Sequence, residues 1–390
     1  MHIVDISALY SPKGGGIRTY VERKLSAAPR TGHRITVIAP GAGDSDVTIN
    51  DHARLVTIDS PRFPFDRNYH YFENDPIIHA ALDAEKPDFI EASSPWGSAS
   101  AVAEWPGAAP RALVMHADPM AAYAYRWLDW AASRAFIDRG FDWFWRHLRR
   151  LDEGFDAVVC ASPSLTARLQ VAGLTRMQTQ PMGVEPGLFS PRLRDPALRA
   201  RLLARCDLPE DAALLIAVGR FSPEKRLPML IAGATAAGYS RPLGLVLVGD
   251  GRERARLARQ IGENPHIQLL SPITDRSELA RLMASADALV HGCEAETFSM
   301  VCAEARASGL PIVVPDEGGA GDQAADAAGV RFTPGDAASA ASAIGEAVDR
   351  LLPLRAQALL AAGGVRTMDR HFDDLFASYA ALTQAARRAA

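Results

Sequence analysis

Residues 288–305 read ALVHGCEAETFSMVCAEA. The apolar run at 288–291 is too short for a helix and reads as a buried strand. From Met300 onward the apolar and small residues recur at helical spacing, so a helix opens there. Two carboxylates of this stretch are singled out, Glu296 in the polar link and Glu304 about one turn into the helix. The N–H groups of Phe298, Ser299 and Met300 fall at the helix N-terminus, where they lack intrahelical acceptors and form a ready anion site. An acid in a first helical turn also complements the helix dipole, so this stretch alone leaves a structural and a ligand-binding role open.

Working outward, the same strand–loop–helix unit repeats. In the second half, strand-like runs at 214–218, 244–248, 266–270, 312–315 and 329–332 alternate with helical segments at 227–237, 252–261, 276–284, 300–308 and 337–351. The first half has strands at 2–6, 34–39, 54–58, 89–92, 112–115 and 157–160, with helices at 19–28, 76–85 and 164–171. Such alternation is the pattern of a parallel sheet covered by helices. Between the halves, residues 180–187 read QPMGVEPG. Pro181 and Pro186 interrupt any helix, and Gly183 and Gly187 allow a hinge. The expected fold is α/β, with two Rossmann-like doubly wound domains at 1–182 and 190–368. Ligands of such sheets bind outside the carboxyl ends of the strands, at a topological switch point. Two such edges facing each other make a cleft.

Composition agrees. At 390 residues the chain exceeds one ordinary core, given roughly 150 residues per domain. Its 48% hydrophobic and 23% charged residues are those of a globular protein. A net charge of −4 supplies no basic field for nucleic acid. Cys160, Cys206, Cys293 and Cys302 form no CxxC pair and have no His at metal-like spacing, which fits a reduced, cytoplasmic protein. The N-terminus reads as a buried strand and not as a signal peptide, and no run of about 18 apolar residues offers a membrane span.

Two further strand ends carry chemistry. Residues 219–226 read GRFSPEKR and put Arg220 and Lys225 where a strand ends, an arrangement that holds a diphosphate. Residues 248–251 read VGDG, where Gly249 lets backbone approach a ligand. In this order and spacing, the three pieces resemble the retaining GT-B glycosyltransferases with the E-x7-E motif, the group 1 or family 4 enzymes. The resemblance spans nearly the whole chain and is strongest at 214–319. It implies that Glu296 contacts donor-sugar hydroxyls and that Glu304 holds the nucleotide ribose. By the same match Arg220 and Lys225, with Gly219 and the amides of Phe298, Ser299 and Met300, stabilise the departing nucleoside diphosphate.

Residues 11–18, SPKGGGIR, match the family's glycine loop, with Gly15 and Gly16 near the donor phosphates and acceptor. His116, with Asp118 as a neighbour, matches its cleft histidine, a donor-sugar contact. Residues 366–374 and 375–388 look like its last helices, so a helix at about 370–390 completes the first domain. Two departures stand out: Ser299 replaces the usual glycine after Phe298, and Arg226 replaces a small residue. Asp44-Ser45-Asp46 imitates a metal-binding DxD triplet but reads as a polar loop. Two fixed cations and helix dipoles neutralise a leaving group unaided, so no cofactor and no metal is expected.

The resemblance therefore implies retaining hexosyl transfer from a nucleoside-diphosphate sugar, UDP-, GDP- or other, to a glycan, lipid-linked or small-molecule acceptor. Retention comes from the resemblance alone. A GT-B sugar-nucleotide epimerase and a sugar-nucleotide binding protein without turnover share these features and stay open. A dinucleotide oxidoreductase lacks support, because no G-x-G-x-x-G follows a strand. Residues 121–150 interleave Tyr123, Tyr125, Trp127, Trp130, Phe136, Phe141, Trp143, Phe144 and Trp145 with arginines. They read as a helix burying its aromatic face, or as a surface for sugar or lipid. Residues 62–65, RFPF, are a smaller surface of the second kind. Peripheral contact with the inner membrane face thus stays open, and oligomeric state is not legible.

Overall fold

The computed structural model describes every residue except Lys13, Phe65, Asp66, Asp129, Trp130, Asp326, Ala327 and Ala390. Of the positions singled out above, Lys13, Phe65 and Trp130 therefore lie outside the described residues. The chain divides into two units. The first comprises Met1–Pro119, Trp127–Pro181 and Met368–Ala390, and the second Met120–Arg126 and Met182–Thr367. Residues 120–126, expected in the first domain, group with the second instead.

The first unit holds β1 (His2–Ile6), β2 (Arg34–Gly41), β3 (Ser45–Asn50), β4 (Ala53–Asp59), β5 (Phe89–Ala92), β6 (Arg111–Met115), β7 (Ala157–Cys160) and β8 (Met177–Thr179). They form one sheet in the order β3-β4-β2-β1-β5-β6-β7-β8. All neighbours are parallel except β3 with β4. Central strands such as β1 and β5 are buried along their whole length, as strands covered on both faces must be.

Asp44-Ser45-Asp46 is not a polar loop, as the sequence reading had it. It leads into the antiparallel edge strand β3, where Asp46 pairs with Arg54 at 2.6 Å and Asp44 accepts from the Asp59 amide at 2.7 Å. The strand was missed because it is exposed almost throughout, so no buried face marks it. The aromatic segment likewise is not one helix. It is a wide π turn at Met120–Tyr125, then short helices at Arg126–Leu128 and Arg134–Gly140 and a longer one at Asp142–Gly154. Its aromatics divide: Tyr125, Phe144 and Trp145 are buried, while Tyr123, Trp127, Phe136 and Trp143 are exposed.

Under the middle of this sheet lies a buried ionic cluster that the sequence reading missed. The Lys24 ammonium, on the helix Gly16–Thr31, donates to Asp5 of β1 at 2.8 Å and also to Glu91 of β5. Tyr379, on the last helix Met368–Ala389, donates its hydroxyl to Glu91 at 2.8 Å and stacks on Phe89 at 4.1 Å. All four polar groups are fully buried. Burial opposes the Lys24 charge, but the two carboxylates outweigh it and raise its pKa.

The second unit holds β9 (Ala213–Val218), β10 (Leu243–Val248), β11 (Ile267–Leu270), β12 (Ala288–Val290), β13 (Ile312–Pro315) and β14 (Gly329–Phe332). Their order is β11-β10-β9-β12-β13-β14, and every pairing is parallel. The order reverses between β9 and β12, which makes that edge the switch point. Apolar side chains pack on both faces of this sheet, Leu215 and Leu245 in one core and Ile216 and Val246 in the other. Gly183 plays a different part from the hinge expected of it. A Cβ there would fall 2.2 Å from the Thr367 carbonyl carbon, so the residue is glycine because two backbones meet. The Val184–Thr367 bridge marks the same contact.

Candidate active site

Three loops leave the carboxyl edge of the second sheet around its switch point, after β9, β10 and β12. The first turns through Pro223–Lys225, a single 3-10 turn, into the helix Leu227–Gly238. Gly219 bonds back to the Val248 carbonyl at 3.0 Å, tying it to the second. Gly249 has φ +154°, and a Cβ there would fall 1.9 Å from the Gly219 carbonyl oxygen. Only glycine lets these two loops close on each other.

The third loop carries Glu296 to the first. The Lys225 ammonium donates to Glu296 Oε1, and both side chains are 22% exposed, so the pair lines a surface that a ligand can reach. Burial pushes the Glu296 carboxyl up, but Lys225 and then His291 outweigh it and hold it well below the usual range. Glu296 is thereby a carboxylate, an acceptor for hydroxyl groups, across the ordinary pH range. Its backbone carbonyl accepts from the Gly319 amide at 2.7 Å. Arg226 grips Glu294 with two nitrogens, one of them at 2.7 Å. The arginine that departs from the family's pattern thus braces the loop carrying Glu296. Arg220 is exposed beside Glu224, where it helps lower that carboxyl against burial, after Ser222 and Lys225.

The helix Met300–Ala307 opens at Ser299, which has φ +66°. Gln323 donates to the carbonyls of Phe298 and Ser299 at 2.8 and 3.0 Å, setting the orientation of that turn. Among the described residues no acceptor engages the amides of Phe298, Ser299 or Met300. Free amides at a helix N-terminus, like the cations Arg220 and Lys225 on the loop after β9, are groups suited to an anion. Glu304, one turn on, is 6% exposed and accepts from Arg276. Burial raises its carboxyl and Arg276 opposes the rise.

Sequence reading missed His291 and Arg276. His291 directly follows the central strand β12 and brings Nε2 to 3.4 Å from Glu296 Oε1. A polar residue at the carboxyl end of a switch-point strand was the available signal. Arg276 opens the helix Arg276–Ser285 behind Asp275, which caps it, and only the sequence pattern of a cap marked that position. His291, Cys293 and Glu296 each offer one ligand atom within 4.8 Å. A cation there would have to displace Lys225 from Glu296, and burial pushes the Cys293 thiol up to about 12. The arrangement suits a lysine better than a metal.

In the first unit, Gly15 caps the helix that Gly16 begins, and a Cβ on either meets nothing within 4 Å. Packing within the chain therefore does not require glycine at these two positions. His116 follows β6, with its ring edge-on to Tyr20 at 4.7 Å. Burial, aided by Lys24, pulls its pKa down to about 4, so the imidazole is neutral at ordinary pH. Asp118 is occupied by an ion pair with Arg168. All four cysteines are buried and free.

Residues 201–357 match the family described as glycosyl transferases group 1, and residues 14–188 match glycosyltransferase family 4. A GDP-mannose-dependent alpha-mannosyltransferase of Mycobacterium tuberculosis (strain CDC 1551 / Oshkosh) is 31% identical over 330 residues, 83% of this chain and 81% of the relative. A GDP-mannose-dependent alpha-(1-6)-phosphatidylinositol dimannoside mannosyltransferase of M. tuberculosis (strain ATCC 25177 / H37Ra) is 27% identical, covering 80% and 79%. Among solved structures, sucrose-phosphate synthase from Thermosynechococcus elongatus has a TM-score of 0.77 at 20% identity, covering 99% of this chain and 100% of that one. Anabaena HepE, solved with UDP and glucose, has a TM-score of 0.67 at 19% identity, covering 98% and 99%. The two α/β units are those of the GT-B fold, and the chain belongs to the group 1 glycosyltransferases, enzymes that transfer a glycosyl group from a nucleoside-diphosphate sugar.

Proposed function

We propose that this enzyme moves mannose from GDP-mannose to a hydroxyl of a glycolipid or glycan acceptor, with retention and without a metal. The observation that carries the reading is the Lys225–Glu296 pair, held beside Arg220 and a helix N-terminus at the switch point. Such a site suits a ligand with sugar hydroxyls on one side and a diphosphate on the other. The mannosyl donor is drawn from relatives that are named for it.

In this reading Glu296 accepts from mannose hydroxyls and Glu304 from the ribose. Arg220, Lys225 and the amides of Phe298, Ser299 and Met300 take up charge as the C1–O bond to the diphosphate breaks. The acceptor hydroxyl attacks C1 from the leaving-group face and gives its proton to the departing phosphate oxygen. His116, a neutral imidazole in the first unit, and the Gly15–Gly16 turn are proposed as donor contacts. The exposed Trp127, Phe136 and Trp143, with Arg139 and Arg146 exposed nearby, support peripheral attachment to a lipid surface. Flotation with vesicles of anionic lipid tests that attachment, and protein left at the bottom of the gradient removes it.

The transfer is tested by incubating enzyme, GDP-mannose and a mannosylated lipid acceptor with a chelator, and reading the new anomeric centre by NMR. An α-linked product is expected, and Lys225→Met should lower kcat about 100- to 1000-fold. A β-linked product overturns retention, and metal-dependent turnover overturns the metal-free assignment.

A further inference from the structure

Beyond Glu304 the site continues to a second arginine with a specified geometry. Arg276 is the first residue of its helix, and Asp275 accepts from the amides of Ser277 and Glu278 to hold that turn. Its Cζ lies 5.1 Å from the centroid of Phe189, a side chain only 7% exposed. Its Nη2 donates to Glu304 Oε1. An aromatic face and a carboxylate together set the plane of the guanidinium and the direction of one edge. The Arg276 side chain is nonetheless 42% exposed, and no other hydrogen bond engages its donors among the described residues.

Glu304 is the ribose contact in the function proposed above, and the present inference rests on that assignment. A group that touches the ribose carboxylate lies within one side-chain length of the base. We propose that Arg276 reads that base and selects guanine. Of guanine, adenine, uracil and thymine, guanine alone presents two adjacent acceptors, O6 and N7, to a pair of parallel N–H donors. Adenine places an amino donor beside N7, which faces the guanidinium donor to donor. Uracil and thymine offer O4 with the N3–H donor next to it, so one arm of the fork has no partner. Lysine at this position keeps the charge but has no planar fork, so it cannot make the two-point contact.

The experiment is calorimetric titration of the wild type, Arg276→Lys and Glu304→Gln with GDP, ADP and UDP, in which no turnover is needed. The wild type should bind GDP about tenfold or more tighter than UDP or ADP. Arg276→Lys should bind UDP about as the wild type does, with GDP falling to the UDP level. Glu304→Gln should weaken all three alike. Retained UDP binding by Arg276→Lys excludes misfolding. An equal loss of GDP and UDP in Arg276→Lys overturns the inference by making Arg276 a general nucleotide contact. A guanine preference that survives in that variant overturns it also. A wild type that binds nucleotide but prefers another base removes the guanine-reading role of Arg276 and GDP-mannose as the donor, and leaves transfer from another nucleoside-diphosphate sugar standing. A wild type that binds none of the three removes the proposed function itself.

Discussion

Ser299 occupies a backbone conformation, φ +66° and ψ 76°, that a side chain with a Cβ tolerates at a cost of about 1–2 kcal/mol. Its position opens the helix whose first amides are proposed to receive the donor's charge, so the strain is stored at that turn. Ser299→Gly relieves it, partly offset by the greater freedom of glycine in the unfolded chain. Chemical denaturation should find that variant more stable by about 0.5–1 kcal/mol; a loss of stability would show that the turn is unstrained. His116 gives the pH dependence. Its folded pKa of about 4 lies below the 6.5 of an ordinary histidine, so between those values the unfolded chain binds more protons. Stability is therefore fullest above pH 6.5 and falls as pH drops toward 4, by at most about 1.4 kcal/mol per pH unit from this residue. His2 and His33, lowered chiefly by burial, act with the same sign. Unfolding curves of the wild type and His116→Gln at pH 7 and 5 should converge at the lower pH, and parallel curves would remove this account.

At the scale of elements, short mainly apolar runs were the legible part. β1, β5, β7, β13 and β14 have the bounds that their sequences imply, because strands inside a covered sheet are mostly apolar even where Asp5, Glu91 or Arg331 interrupts the run. What was missed lacks that signature. β8 is three residues long and half-buried, and the helix Gly318–Ala325, GGAGDQAA, has no apolar period and three glycines. The helix Leu351–Ala362 was lost behind Pro353, which falls in its first turn, where proline is tolerated. The positions of Arg220, Lys225 and Glu296 at loops, and of Glu304 one turn into a helix, were readable, since each follows a strand. The ion pair that joins Lys225 to Glu296 was not, because the two lie 71 residues apart and no local pattern records which loops touch. Contact between loops is also what Gly249 allows. Gly249→Ala forces the Gly219 and Gly249 turns apart and strains φ, at a cost of about 1–3 kcal/mol. Nucleoside diphosphate affinity should fall with it, and thermal shift with GDP measures both losses. An alanine variant with wild-type melting and a wild-type GDP shift would mean that the turns adjust freely.

At the scale of the molecule, the first unit depends on a helix that the chain supplies last. Tyr379 satisfies Glu91 Oε2 inside a cluster of two carboxylates and one ammonium from which solvent is excluded. Tyr379→Phe keeps the stack on Phe89 and removes only the hydroxyl, leaving a buried carboxylate oxygen short of a donor. The expected cost is about 1–3 kcal/mol in urea unfolding, and a variant as stable as the wild type would show that Lys24 alone suffices. Sequence could suggest that the last helix returns to the first domain, but only by resemblance. The cluster draws one residue each from positions 5, 24, 91 and 379, and nothing in any of these four segments announces the others.

The discontinuity of the first unit also has a consequence in time. A ribosome finishes Pro181 and then makes the whole of residues 182–367 before Met368 emerges. At roughly 5–20 residues per second, that interval is about 10–40 s. Throughout it Glu91 has no Tyr379 and Phe89 no stacking partner, so the nascent first unit waits with its centre uncovered. The second unit needs from the earlier part only residues 120–126, already synthesised, and so can reach its folded form first. The order of completion on the ribosome can then be the reverse of the order of translation, with the unit that carries Lys225 and Glu296 completed ahead of the one translated first.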